Sequence, residues 1–123
     1  MADQSHHGTF IWHEINTSDP GGAKSFYSDL IGWKTHEMDM GPAGKYTMFQ
    51  NGGSDIGGIV SADGQPPHWL MYIGVDDVDA ALKKAEALGG KVTVPATDIP
   101  MGRFAMLTDP AGAPFAVFAP KSE

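Results

Sequence analysis

The run Phe10-Ile11-Trp12-His13-Glu14-Ile15-Asn16 is rich in β-branched and aromatic residues and predicts a strand. It stops at Thr17-Ser18-Asp19-Pro20, where Asp19 is placed to cap a helix with Pro20 at its first position. Ala23, Phe26, Tyr27, Leu30 and Ile31 then recur at helical spacing, and Gly32 ends the helix. Three short strands follow, near Trp33 to Glu37, Lys45 to Gln50 and Ile56 to Val60, separated by Gly and Pro. The pattern then begins again. Trp69 to Val75 reads as a strand, Asp77 as a cap, and Val78, Ala81, Leu82, Ala85 and Leu88 as the buried stripe of a helix that stops at Gly89-Gly90. Strands near Lys91 to Val94, Arg103 to Thr108 and Pro114 to Phe118 complete the second series.

The two series are one unit written twice. At a constant offset of 58 residues Asp19 falls on Asp77, Ala23 on Ala81, Leu30 on Leu88, Gly32 on Gly90, Thr35 on Thr93, Pro42 on Pro100, Gly44 on Gly102 and Met48 on Met106. Lys45 matches Arg103, Tyr46 matches Phe104, Phe49 matches Leu107 and Ile59 matches Val117. A repeat of this length is too long for a solenoid turn and too short to bury a good core alone, so the copies are expected to fold together. The expected class is α+β: two βαβββ modules in tandem, their strands forming a curved mixed sheet that encloses a cup-shaped cavity. The expected boundaries are an N-terminal tail at 1–9, a first module at 10–61, a linker at 62–67 and a second module at 68–119. Gly41-Pro42-Ala43-Gly44 and Ile99-Pro100-Met101-Gly102 read as loops.

Composition narrows the function. The chain has 123 residues and no cysteine, which removes thiol catalysis, Cys-based zinc sites and disulfides. A formal net charge of −7 repels phosphate backbones and anionic membrane surfaces, so neither nucleic acid nor membrane is an expected partner. Met1 to Gly8 is polar and carries no secretory apolar stretch, and no run is long enough to span a bilayer, so the expected location is the cytoplasm.

Trp12-His13-Glu14 to Asp19, followed by Ala23-Lys24-Ser25-Phe26-Tyr27 and Leu30-Ile31-Gly32-Trp33, resembles the strand-to-helix signature of the vicinal oxygen chelate superfamily, which groups glyoxalases, bleomycin-resistance proteins and extradiol dioxygenases. Val75-Asp76-Asp77-Val78-Asp79-Ala80-Ala81 resembles the same signature in a second module, and Thr108-Asp109-Pro110-Ala111-Gly112 the turn before the last strand. The resemblance implies a metal held by one residue from the first strand and one from the last strand of each module. In that register the four positions are Trp12, Gly58, Leu70 and Ala116, none of which offers a ligating atom. The family metal is therefore not expected, and no cofactor is.

Strand alternation puts Trp12, Glu14 and Asn16 on one face, and His68, Leu70 and Tyr72 on the equivalent face of the second copy. Glu14 and Tyr72 occupy equivalent positions. The expected pocket sets them close together, walled by Trp12, Leu70 and Phe118, with Gly58 and Ala116 leaving room for a ligand. Glu14 and Tyr72 are the candidate catalytic residues, and Trp12, Asn16, Gly58, His68, Leu70, Ala116 and Phe118 the candidate ligand contacts. Each has a plainer reading: Trp12 as core, Glu14 as a hydrogen-bonded structural carboxylate, His13 as a structural histidine facing the helix side or a partner subunit, and His68 as closing the linker. His6, His7 and His36 read as solvated or loop residues. Met38, Met40, Met48, Met101 and Met106 are either a soft lining or gap filling, and Lys45 and Arg103 either meet an anion or lie on a solvated edge.

These observations point to a small-molecule-binding protein of the glyoxalase and bleomycin-resistance type, holding an apolar or aromatic ligand without the family metal and assembling as a homodimer. An alternative is a metal-independent lyase or isomerase in which the apolar pocket raises the pKa of Glu14 and makes it a general acid/base beside Tyr72. A further alternative is a metal-dependent lyase or dioxygenase with a displaced site built from Glu14, His13 and His68.

Overall fold

The computed structural model describes residues 7–39, 45–62, 64 and 66–121. His6, Met40, the loop Gly41-Pro42-Ala43-Gly44 and the linker residues Asp63 and Gln65 lie outside the described residues. The chain is α+β, and its elements run β1 (Phe10–Thr17), α1 (Pro20–Ile31), β2 (Lys34–Asp39), β3 (Lys45–Asn51), β4 (Ser54–Ser61), β5 (His68–Gly74), α2 (Val78–Ala87), β6 (Lys91–Ile99), β7 (Gly102–Thr108) and β8 (Pro114–Pro120). The order βαβββ thus occurs twice, as the duplication predicts. Neither helix is long and apolar enough to cross a membrane.

The chain divides into two compact units. One takes in Trp12–Leu70; the other takes the residues from Met71 onward together with those up to Ile11. In the first unit the strand order is β2-β3-β4-β1, with β1 parallel to β4 and the remaining pairs antiparallel. Asp19 starts α1 by accepting a 3.0 Å hydrogen bond from the Gly22 amide, with Pro20 at the first helical position. Gly32 ends it at φ 92°, a left-handed conformation that favours glycine, and its N–H bonds to the Ser28 carbonyl. No residue of α1 is buried. The helix is anchored through Tyr27, whose ring stacks on Trp33 and meets Phe49 and Trp69 edge-on, over a core of Ile15, Phe49 and Ile59. The Trp69 indole N–H also donates to the Tyr27 hydroxyl at 3.2 Å.

The second unit repeats the plan in the order β5-β8-β7-β6, with β5 parallel to β8. Asp77 caps α2 by accepting from the Ala80 amide at 3.1 Å. Here the helix does bury a side chain: Val78 is 2% exposed and packs with Ala105, Leu107 and Val117, flanked by Leu82 and Ala85. The register is duplicated along with the elements, since Glu14 pairs with Gly58 in the first unit and Tyr72 with Ala116 in the second. Likewise Met48 lies opposite Gly58, and Met106 opposite Ala116.

Two boundaries depart from the sequence expectation. β6 runs on to Ile99 through Pro95, where the sequence predicts a strand ending near Val94. It lies at the end of the strand order and pairs with β7 through two register shifts, so the missing N–H of Pro95 breaks no regular ladder. Residues 8 and 9, expected in a tail, are tied into the second unit: the Gly8 amide donates to the Gly74 carbonyl and the Gly74 amide to the Thr9 carbonyl, both at 2.8 Å.

Candidate functional site

Alternation along β1 sends Ile15 to the helix-covered core and turns Trp12, Glu14 and Asn16 to the opposite face. Glu14 is 5% exposed and Asn16 7%, so the strand carries a carboxylate and an amide out of water on one face. Burial of an ionised carboxylate is costly without hydrogen-bond donors. One donor is the Tyr46 hydroxyl, 2.7 Å from Glu14 Oε2. That hydroxyl in turn accepts a 2.8 Å bond from the Trp12 indole N–H. Trp12, Tyr46 and Glu14 therefore form a directed chain of hydrogen bonds, indole to phenol to carboxylate. Asn16 Nδ2 lies 3.4 Å from the Glu14 carbonyl.

Tyr46 was not among the residues that the sequence singled out. It stands on β3 two residues before Met48, which faces Gly58 on β4, and Gly58 lies beside Glu14 on β1. A Cβ on Gly58 would collide with the Tyr46 hydroxyl and ring. The space that the bare glycine leaves is thus occupied by Tyr46, where the sequence reading reserves it for a ligand. At the equivalent place in the second unit Tyr72, 8% exposed, packs its ring against Phe104 with centroids 6.4 Å apart. Phe104 is the repeat mate of Tyr46 and Ala116 that of Gly58. The unit without the carboxylate also lacks the hydroxyl and the glycine.

Burial, then the Glu14 charge, then the bond to Glu14 push the Tyr46 phenol well above the ordinary tyrosine value, and the Trp12 bond pulls only weakly the other way. The phenol therefore stays protonated and keeps donating throughout the ordinary pH range. An unfolded tyrosine ionises at about pH 10. A group whose folded pKa is raised contributes stability that is complete below its unfolded pKa and is lost as pH rises above it. We expect an alkaline ultraviolet titration to show Tyr46 ionising only as the fold is lost, and Tyr46→Phe to take one phenol out of that last step. An identical last step in both proteins would contradict this bond.

The other candidates are placed as follows. Leu70 is 3% exposed and Ala116 fully buried, while Phe118 is half-buried opposite Phe104. His68 is half-buried with its Nδ1 3.0 Å from the Pro66 carbonyl, the linker-closing arrangement. His13 is exposed. His36 bonds Asp55 at 2.8 Å, and that bond holds the Asp55 carboxyl below its usual range. Arg103 grips Asp79 with two nitrogens and Asp98 with a third, and Lys45 lies 4.0 Å from Glu37, so both cations have intramolecular carboxylate partners. An open cavity of about 500 Å³ beside Arg103 is lined by Asp76, Asp77, Asp79, Asp98 and Lys121 among others, and includes no residue of the Glu14 network.

The four positions that the family resemblance assigns to a metal do not fit one. Trp12 presents an N–H already given to Tyr46, and Gly58, Leu70 and Ala116 present hydrogen or hydrocarbon. Among the described residues no three His, Asp or Glu side chains converge as a cation site needs, so Glu14, His13 and His68 form no such group.

The fold and the repeat correspond to a known family. Residues 6–117 match the model of the Glyoxalase/Bleomycin resistance protein/Dioxygenase superfamily, and the chain belongs to it. It is 40% identical over 116 residues to "Putative glyoxylase CFP32" of Mycobacterium bovis, an alignment covering 92% of this chain and 44% of that protein. It is 31% identical over 125 residues to the anthracycline biosynthesis protein DauV of a Streptomyces species, covering 89% of this chain and 41% of that one. The chain therefore spans less than half the length of these relatives. Among solved structures, methylmalonyl-CoA epimerase from Mycobacterium tuberculosis superposes with a TM-score of 0.63 at 19% identity, over 99% of this chain and 94% of that one. The Mn(II)-bound glyoxalase from Novosphingobium aromaticivorans superposes at 0.64 and 21% identity, over 94% of this chain and 40% of that one. At such identities the likeness is one of fold alone.

Proposed function

We propose that this chain binds a small apolar or aromatic molecule against the Trp12, Glu14 and Tyr46 face of its first unit, without the family metal. The observation that carries the reading is the buried Glu14 carboxylate, held by the Tyr46 hydroxyl on a strand where the family resemblance implies a metal ligand. An apolar surround with a few aimed polar groups is the usual makeup of a small-molecule site, and the part-buried Trp12 supplies apolar surface on the same face. The relative named for anthracycline biosynthesis is in keeping with such a role. Thermal-shift titration with a panel of small aromatic compounds is the test: saturable stabilisation of the parent chain, diminished in Trp12→Ala, is expected. Stabilisation that Trp12→Ala leaves unchanged would place binding elsewhere.

A second reading, a metal-independent lyase or isomerase with Glu14 as general acid/base, draws support from the 2.7 Å contact between that carboxylate and a phenol. Turnover lost in Glu14→Gln and insensitive to chelator would favour it over the binder. For assembly we propose a homodimer. The outer face of α1 carries Phe26 and Leu30, 58% and 65% exposed, where the repeat mate of Phe26 is Lys84. Light scattering at micromolar concentration should give the mass of two chains; the mass of one would contradict the proposal.

A further inference from the structure

In the binding face proposed above, the Tyr46 side chain is itself a phenol seated between a donor and an acceptor. Its oxygen accepts from the Trp12 N–H at 2.8 Å and donates to Glu14 Oε2 at 2.7 Å, both at ordinary hydrogen-bond length. A hydroxyl on an aromatic ring has that pair of needs, one lone pair to fill and one proton to give. The ring enters over Gly58, whose missing Cβ makes the room. The hydroxyl is not demanded by the fold. The equivalent strand position of the second unit is Phe104, which packs on Tyr72 and carries no hydroxyl. Indole, carboxylate, glycine and phenol occur together in one copy of the repeat and are replaced together in the other by Leu70, Tyr72, Ala116 and Phe104.

From this juxtaposition we infer that Trp12 and Glu14 form a recognition pair for a phenolic hydroxyl, that Tyr46 fills it in the ligand-free chain, and that the ligand class is a hydroxylated aromatic molecule able to take the same two hydrogen bonds in place of Tyr46. The inference rests on the small-molecule reading and narrows it. Tyr46 is only partly buried, unlike Glu14. Gly58 is a positioning residue in this scheme, admitting either phenol.

Removing the internal phenol and supplying a free one tests the pair directly. Tyr46→Ala deletes a p-cresol-sized side chain and leaves the donor and acceptor in place, and apolar cavities made this way do take up small aromatic molecules. p-Cresol should bind Tyr46→Ala saturably and about tenfold or more tightly than toluene, which fills the same volume without the hydroxyl, because bonds to a charged group are the stronger ones. That preference should disappear in Tyr46→Ala/Glu14→Gln and shrink in Tyr46→Ala/Trp12→Phe. If Tyr46→Ala does not fold alone, the same comparison is read as recovery of the fold: recovery by p-cresol and not by toluene supports the pair. Equal effects of p-cresol and toluene would overturn phenol recognition while leaving an aromatic-binding face standing. No binding or recovery by either would overturn the inference as well, and the panel titration of the parent chain then decides the broader reading independently.

Discussion

Gly58→Ala is expected to destabilise the chain by about 3 kcal/mol, from overpacking and from loosening the polar bonds of a buried network. The added methyl would be driven into the Tyr46 hydroxyl and ring. A tyrosine ring is rigid, so relief comes from moving the whole side chain, which draws the hydroxyl away from Glu14 and Trp12. The reciprocal change in the second unit has a different cost. Ala116→Gly removes a methyl next to Tyr72 and adds backbone freedom, a loss of about 1 kcal/mol. Urea unfolding of both variants checks the contrast, with the alkaline tyrosine titration as a second readout: Gly58→Ala should return the late-ionising phenol toward ordinary behaviour and Ala116→Gly should not. A Gly58→Ala protein as stable as the parent would mean that Tyr46 has another place to go at no cost.

The second large effect concerns binding. Glu14→Gln keeps the shape of the side chain and an oxygen that Tyr46 can donate to, so the fold should survive. What it removes is the charge. Bonds to charged groups contribute about 1.5 to 3 kcal/mol, so ligand affinity should fall by roughly tenfold to a hundredfold. Tyr46→Phe should behave differently, because it removes the hydroxyl that competes with a ligand for the carboxylate and the indole. Calorimetric titration of a ligand found in the aromatic panel separates the two. Equal affinity of Glu14→Gln and parent would remove Glu14 from the site.

Much of this architecture is written locally. The β1 and β5 runs are rich in residues that favour strands, Asp19 and Asp77 are helix caps whose side chains reach amides three residues on, and Gly32 takes a left-handed turn, so short-range chemistry suffices for each. The duplicated register of Glu14 with Gly58 and Tyr72 with Ala116 follows from the same constant offset. Glu14, Asn16, Leu70 and Tyr72 are all buried, and so are Ile15 and Thr17 of the opposite parity on β1. The length of β6 was not legible, because Pro95 reads as a breaker unless the strand is known to lie at the end of the order, where its lost amide matters little.

The partner of Glu14 was not legible either, for a different reason. Tyr46 reaches it through two strand pairings and through a side chain that Gly58 does not have, and no local pattern announces a missing Cβ as the seat of another residue's ring. A signal existed in the repeat. Three aligned positions depart together between the copies: Glu14 against Tyr72, Tyr46 against Phe104 and Gly58 against Ala116. A carboxylate, a hydroxyl and a bare position that come and go as a set are what one hydrogen-bonded cluster would produce. The pairing of Tyr46 with Phe104 reads as a conservative aromatic match until the lost oxygen is set beside the lost carboxylate.

The most direct measurement is native mass spectrometry of the parent chain and of Glu14→Gln, each incubated with the same mixture of small aromatic compounds with and without phenolic hydroxyls. The account predicts a one-to-one adduct on the parent, drawn from the hydroxylated members and much reduced on Glu14→Gln. No adduct on the parent, or adducts of equal intensity on both proteins, would contradict it.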